Sequence, residues 1–192
     1  LFAEWTAGRG GFIDRDDPRT AVVSVEQEQA EIYAYVIDHP TRGRWLIDGG
    51  ASADLPRRVG PVMRHALRRI PITLHQTTAR WLADKPRPRG VMLTHLHFDH
   101  IGGLIDMAPG TPVYLGAGDA RYRHWTNILL GRPADDILRG YGPLREWVFP
   151  PDPDGRFDGV LDVFGDGSVW ALRVPGHTPG SVAYLIDGQD AV

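Results

Sequence analysis

THLHFDHIGG, residues 94–103, is the stretch of this 192-residue sequence that decides the fold. Four side chains that can bind a metal lie within six residues, directly after the short apolar run 91–93. Side chains alternate along an extended chain, so His95 and His97 are expected to point the same way. Two imidazoles in that arrangement can bind one ion, which predicts a metal site where a buried strand ends.

The second half of this stretch predicts a turn toward a different face. Asp99 and His100 are expected to reach a second ion or a water, while Gly102 and Gly103 allow backbone to pack closely behind them. Histidine and carboxylate ligands suit zinc and also admit Mn, Fe or Co. The alternative is a polar loop without an ion, but such clustering is unexpected with eight histidines in the whole chain.

A further candidate ligand, His177, lies in the Pro- and Gly-rich turn PGHTPGS at residues 175–181. A third imidazole there would complete a three-histidine site with the pair upstream. Thr178 and Ser181 are expected to stabilise the turn rather than act as nucleophiles. The sequence contains no Gly-x-Ser-x-Gly motif, which disfavours serine hydrolysis and leaves metal chemistry as the prediction.

The composition excludes several classes of function. The chain has no cysteine, so disulfides, thiol nucleophiles and iron–sulfur clusters are ruled out. A formal net charge of −3 disfavours nucleic-acid binding. No apolar run approaches the roughly 18 residues that span a bilayer, so no membrane partner is expected. A cytoplasmic protein with a small-molecule substrate is the expectation.

Apolar runs and turn residues predict an α/β fold with a mixed sheet around the site. Residues 1–20 are expected to be an irregular lead-in. Strands are predicted at 21–25, 32–37, 45–47, 91–94 and 113–115, near Trp147, and at 182–186. A turn is expected at 39–43, a sharp bend at 48–50, and a hairpin between 160–164 and 168–174. Helices are predicted from a cap at Asp54 to Ile70, near 76–83 and over 118–130.

Three motifs together resemble the metallo-β-lactamase fold superfamily of metal-dependent hydrolases, over residues 32–192. They are HLHFDH after a strand, the downstream GHTPGS and the upstream LIDGG at residues 46–50. The resemblance implies an αβ/βα sandwich with a dinuclear site between its sheets. Residues 1–192 would form one partial domain, which holds the first half of that sandwich and the start of the second.

The resemblance also implies roles for individual side chains. It assigns His95, His97 and His177 to the first metal, and Asp99 and His100 to the second. The carboxylate of Asp99 would also orient the nucleophile and relay a proton to the leaving group. Asp48, in the upstream motif, would support the loop that carries the site.

The sequence departs from the family pattern after His177. That pattern continues with a bridging Asp and a last ligand His, yet the acids that follow are Asp187 and Asp190, in a predicted turn, and no His follows. We expect the missing ligands to come from chain beyond Val192 or from a partner. A sandwich lacking its second half would expose an apolar face, which allows a homo-oligomer.

The motif details are most similar to the acyl-homoserine-lactonase and organophosphate-hydrolase branch, in HLHFDH and in DVFGDGS at 162–168. A lactone, ester or phosphotriester is therefore the first expectation for the substrate. The alternatives are a glyoxalase-II-like thioesterase, a β-lactamase, a mononuclear-iron persulfide dioxygenase, or a non-catalytic fragment. The aromatic residues between 104 and 159 could line an apolar pocket, although each one singly is more simply a core residue: Tyr114, Tyr122, Trp125, Tyr141 and Trp147.

Overall fold

The predicted α/β architecture is confirmed in a computed structural model, which describes residues 1–8, 27–122, 133–141 and 143–187. The described strands are β1 Ala3–Gly8, β2 Gln27–Ile32, β3 Tyr35–His39, β4 Gly43–Ile47, β5 Ile72–Leu74, β6 Val91–Met92, β7 Val113–Leu115, β8 Arg145–Glu146, β9 Val160–Asp162, β10 Val169–Arg173 and β11 Val182–Ile186. The described α-helices are α1 Leu55–Arg58, α2 Pro61–Leu67, α3 Thr78–Leu82, α4 Phe98–Ile101 and α5 Pro133–Ile137, and 3₁₀ turns cover Gly102–Asp106 and Asp119–Arg121.

The histidine stretch leaves the central strand of a mixed five-stranded sheet with the order β3-β4-β6-β7-β8. Strands β4, β6, β7 and β8 run parallel, and β3 pairs antiparallel with β4. The turn predicted at 39–43 makes that hairpin. Alternate residues of the parallel strands face opposite sides, so each side of the sheet must be covered.

Helices cover one face of this sheet and a second sheet covers the other. Leu46 and Val91 pack into an apolar cluster with α2, α4 and α5. Their neighbours Ile47 and Met92 turn the other way and pack against Val169 of the sheet β11-β10-β9 and Phe164 of the turn between β9 and β10. This layering of helices, sheet and sheet is the inner part of the sandwich that the sequence predicts.

The third sheet, with the order β2-β1-β5, corrects two predictions. Residues 3–8 form β1 instead of an irregular lead-in, and β5 was not predicted from the sequence. The predicted strand 32–37 is broken, because Ile32 ends β2 and Tyr35 begins β3. Phe2, Ala3 and Ile32 are buried in a small core cluster of their own, and that tertiary packing keeps these short strands paired.

The predicted helix 54–70 is interrupted at Val59, which is extended and ends α1. Gly60 begins α2, and Pro61 occupies its first turn, where proline is tolerated. Asp54 does precede α1, but its side chain makes no cap hydrogen bond and pairs with Arg57 instead. The break has a local cause, because Pro61 has no backbone N–H to donate and disfavours a helical conformation in the residue before it, and Gly60 is extended.

The remaining elements largely agree with the sequence. Helix α3, strands β7 and β11, and the hairpin of β9 and β10 lie where they are predicted, and β8 lies beside Trp147. Of the helix predicted over 118–130, only the 3₁₀ turn Asp119–Arg121 falls within the described residues. The strand predicted at 21–25 and the residues Trp125 and Asp190 lie outside them. In the part of the chain that is described, no helix is both long and apolar enough to cross a bilayer.

Candidate metal centre

Three imidazoles converge at one edge of the sandwich. Nδ1 of His97 lies 3.0 Å from Nε2 of His95 and 2.9 Å from Nε2 of His177. One nitrogen of each ring lies within 4.8 Å of the others. Among the residues that the structure describes, this is the group of three or more His, Cys, Asp or Glu side chains with metal-site spacing.

The two sheets deliver these rings from opposite sides. His95 and His97 follow the central strand β6, in an extended segment that turns into α4. His177 follows β10 of the second sheet, in the turn before β11. The expectation that His95 and His97 point the same way agrees with the short distance between their rings.

The donor set fits a divalent metal. Nitrogen ligands about 2.0–2.1 Å from a tetrahedral Zn²⁺ lie about 3.3 Å apart, close to the separations seen here. Burial is the main cause of a lowered pKa for both His95, to about 2, and His97, and the neighbouring imidazoles add to it for His95. Both rings are therefore neutral at pH 7, which is the protonation state that a metal ligand needs.

His100 is held by a carboxylate from another strand. Its Nδ1 lies 2.8 Å from Oδ2 of Asp48, the residue that follows β4. Burial opposes a charge on His100, but the hydrogen bond and charge of Asp48, with the charge of Asp99, raise its pKa overall. This contact leaves Nε2 of His100 toward Asp99, 3.9 Å from the Oδ2 atom of that carboxylate.

Asp48 also fixes the backbone that leads into the histidines. Its Oδ1 accepts a hydrogen bond of 2.8 Å from the N–H of Thr94, and the Thr94 hydroxyl donates to the same carboxylate. Asp48 is buried and adopts a φ of 60°, in the left-handed region that few residues other than Gly adopt. The sharp bend predicted at 48–50 therefore has a structural purpose, which is to turn this carboxylate toward the histidine loop.

A second buried carboxylate, Asp119, was not predicted as part of the site. Its Oδ2 accepts from the N–H of Leu96 at 3.1 Å, and its Oδ1 accepts from the N–H of Gly180 at 3.0 Å. One side chain thus joins the loop of His95 and His97 to the turn of His177. Its position four residues after β7 was the available signal, because polar residues just past buried strands often serve sites.

Close packing of glycines brings the loops together. A Cβ on Gly103 would lie 1.9 Å from the carbonyl oxygen of Gly49, and a Cβ on Gly116 would lie 1.9 Å from that of Gly180. The close backbone approach predicted here is confirmed at Gly103 but not at Gly102, where an added Cβ would lie 3.7 Å or more from its neighbours. These contacts hold the segments after β4, β6, β7 and β10 against one another without intervening side chains.

The hydroxyls of the His177 turn stabilise it as expected. The N–H of Thr178 donates to Oγ of Ser181, and the two hydroxyls lie 3.0 Å apart. Both residues are buried, with Thr178 only 2% exposed. This leaves His177 on a turn whose own polar groups are paired.

Several aromatic residues proposed for a pocket have packing or hydrogen-bonding partners instead. The Tyr114 ring stacks on Trp147 at 4.4 Å, and Trp147 donates its ring N–H to the Tyr184 hydroxyl. The Tyr141 hydroxyl donates to the carbonyl oxygen of Met107. Tyr122 does line a small cleft beside His97.

Comparisons with known proteins found a matching family model and several curated relatives. The model of the Metallo-beta-lactamase superfamily matches residues 30–192. The probable metallo-hydrolase YqgX of Bacillus subtilis is 36% identical over 110 residues, which cover 55% of this chain and 47% of YqgX. The N-acyl homoserine lactonase AttM of Azorhizobium caulinodans is 26% identical over 169 residues, or 79% of this chain and 58% of AttM.

Two further comparisons bear on chemistry and fold. A hydroxyacylglutathione hydrolase of Photobacterium profundum is 31% identical over 99 residues, or 52% of this chain and 29% of that enzyme. A Thermotoga maritima crystal structure assigned to a metallo-beta-lactamase superposes with a TM-score of 0.50 at 16% identity, over 81% of this chain and 62% of that one. The chain spans about half the length of YqgX and of AttM.

Proposed function

This chain belongs to the metallo-beta-lactamase superfamily, and from that premise we propose that it provides metal-binding residues of a metal-dependent hydrolase. The substrate proposed is a lactone, an ester or a phosphotriester. The observation that carries the proposal is the convergence of three imidazoles, with Nδ1 of His97 2.9–3.0 Å from a nitrogen of each of the other two rings, beside the pair of Asp99 and His100.

In this proposal each side chain has a distinct task. His95, His97 and His177 would hold a first divalent ion, zinc before Mn, Co or Fe, and Asp99 and His100 would contribute to a second. Such an ion lowers the pKa of a bound water to about 7 and polarises the substrate oxygen.

Proton transfer is assigned to one of the two carboxylates near the histidines. Asp99 is 15% exposed at its side chain, so its carboxylate can reach substrate, orient the attacking water and pass a proton to the leaving oxygen. Asp48 cannot do this, because it is buried and bonded to Thr94 and His100. Its proposed task is to hold the His100 ring with Nε2 directed away from itself.

The relatives support two substrate classes to different extents. The lactonase AttM matches 79% of the chain, whereas the hydroxyacylglutathione hydrolase matches 52%. An oxygen ester or lactone is therefore the main proposal, and thioester hydrolysis is the second. Both reactions use the same three histidines.

The test is hydrolysis by protein loaded with Zn²⁺, Mn²⁺, Co²⁺ or Fe²⁺, measured with four substrates in parallel. These are an acyl-homoserine lactone, a 4-nitrophenyl ester, a phosphotriester and hydroxyacylglutathione. We expect turnover of the lactone or ester that is lost in His177→Ala and retained in His65→Ala, whose exposed ring lies on α2 away from the site. Turnover that survives His177→Ala, or no turnover with any metal, would contradict the proposal.

A further inference from the structure

A mostly apolar cavity of about 280 Å³ begins beside Asp99. It lies between the sheet β2-β1-β5 and the helices α1 and α2, and its walls include Ile32, Leu55 and Leu74. Pockets for small ligands start near this size and are usually lined by apolar side chains. Because Asp99 belongs to the proposed metal centre, a molecule held here would lie next to the reacting groups.

Two charged side chains line the cavity, Asp99 and Arg68. Arg68 and Pro56 also line an open depression whose other walls are Arg57 and Arg64. The apolar cavity is therefore continuous with a cationic surface, at residues shared by both.

Arg68 is the guanidinium of this group that is available to a ligand. Arg57 pairs with Asp54, and Arg64 donates to the backbone oxygens of Pro56 and Val59. Among the described residues the exposed side chain of Arg68 has no hydrogen bond or ion pair. A negative group would be attracted by Arg68, so the anionic end of a ligand is expected at that side of the cavity.

We propose that this cavity binds an apolar chain of the substrate and that Arg68 binds an anionic group carried on that chain. The inference rests on the proposed function and narrows its substrate class to acyl esters or lactones with a carboxylate, sulfate or phosphate on the acyl part. The reactive carbonyl would lie at the Asp99 side of the cavity.

The test measures binding independently of turnover, by calorimetric titration of the metal-loaded protein. The probes are octane-1-sulfonate, butane-1-sulfonate and octyltrimethylammonium. We expect octane-1-sulfonate to bind more tightly than butane-1-sulfonate by more than tenfold, since four more methylenes are buried. We expect it to bind about fivefold more tightly than the ammonium probe, which is the scale of one exposed charge pair.

Variants separate Arg68 from general surface charge. Arg68→Gln should lower the affinity for octane-1-sulfonate about fivefold without lowering that for the ammonium probe, whereas Arg69→Gln, an exposed neighbour outside both depressions, should change neither. Octane-1-sulfonate should also raise the KM for 4-nitrophenyl acetate without changing kcat.

The possible results distinguish failure of the cavity inference from failure of the proposed function. Equal binding of the two octyl probes, an unchanged affinity in Arg68→Gln, or sulfonate binding that disappears when the metal is removed would overturn the inference. Charge-selective binding that depends on Arg68, together with no hydrolysis of any ester, would overturn the proposed function and leave the cavity assignment standing.

Discussion

Replacing Asp119 by Ala should loosen the metal centre without touching any of its proposed ligands. The carboxylate is 1% exposed and accepts one backbone hydrogen bond from each of the two loops that carry the histidines. In the variant, the N–H groups of Leu96 and Gly180 lose their acceptor. The loop of His95 and His97 would then lose its side-chain link to the turn of His177, while the contacts of Asp48 with Thr94 remain.

The magnitude follows from those two bonds. A buried donor left without a partner costs about 1–3 kcal/mol, so two donors cost about 2–6 kcal/mol of the free energy of unfolding. Loss of a residue that positions metal ligands typically lowers metal affinity 10–100-fold. Asp119→Asn keeps one acceptor oxygen and should fall between the variant and the original protein in both quantities.

The assay pairs urea unfolding of metal-free protein with a competitive Zn²⁺ titration. Asp162→Ala is the matched control, because Asp162 also accepts two backbone N–H groups, from Gly165 and Gly167, but in the β9–β10 turn. That turn is more exposed, so water replaces the lost acceptor and the cost should stay below about 2 kcal/mol. The control should leave Zn²⁺ affinity unchanged.

Two results would refute this reasoning. If Asp119→Ala binds Zn²⁺ as tightly as the original protein, the carboxylate does not position the ligand loops. If Asp162→Ala loses as much affinity as Asp119→Ala, the effect reflects general loss of stability and not the link between the two loops.

The close packing of Gly103, the burial of His95 and the proposed metal site each give a further test. Gly103→Ala should destabilise the protein by at least about 2 kcal/mol in urea unfolding, because the added Cβ would meet the carbonyl oxygen of Gly49. The control Gly176→Ala has open space around the added Cβ and should change the free energy of unfolding by less than about 0.5 kcal/mol. Metal-free protein should lose stability as the pH falls below 6.5, because His95 is protonated in the unfolded chain but not in the folded one. Between pH 6.5 and 5 this residue alone should lower the free energy of unfolding by about 2 kcal/mol, which is measured from the midpoints of urea unfolding. Chelation should lower the Tm of the loaded protein and leave that of His177→Ala unchanged, and equal shifts in scanning calorimetry would argue against a metal held by that histidine.

Local patterns in the sequence were sufficient for much of the fold. The Asp-Gly turn predicted the β9–β10 hairpin, and the turn at 39–43 predicted the pairing of β3 with β4. The sheet β2-β1-β5 could not be predicted in the same way. Strand β1 pairs with residues 19–29 positions away in β2 and about 70 positions away in β5, so no local signal marks it.

The residues of the site likewise include some that local sequence predicts and some that it does not. The spacing within residues 94–100 and the rigid turn around His177 were sufficient to place the histidines together. The hydrogen bonds from Asp119 connect positions 23 and 61 residues away, and its immediate neighbours in sequence carry no motif. Metal ligands are visible in a sequence because several must be of a few residue types, whereas the groups that hold them need only be polar and in reach.

Sheet topology explains why those supporting groups lie where they do. Strands β4, β6 and β7 are parallel neighbours, so their carboxyl ends meet at one edge of the sheet. Asp48 follows β4, Thr94 and the histidines follow β6, and Asp119 follows β7, each within a few residues of the strand end. An edge built from parallel strand ends gathers side chains that are far apart in sequence, which is where ligand sites form in α/β sheets. The polar residue after a buried parallel strand therefore points to supporting carboxylates even where, as at Asp119, no motif surrounds them.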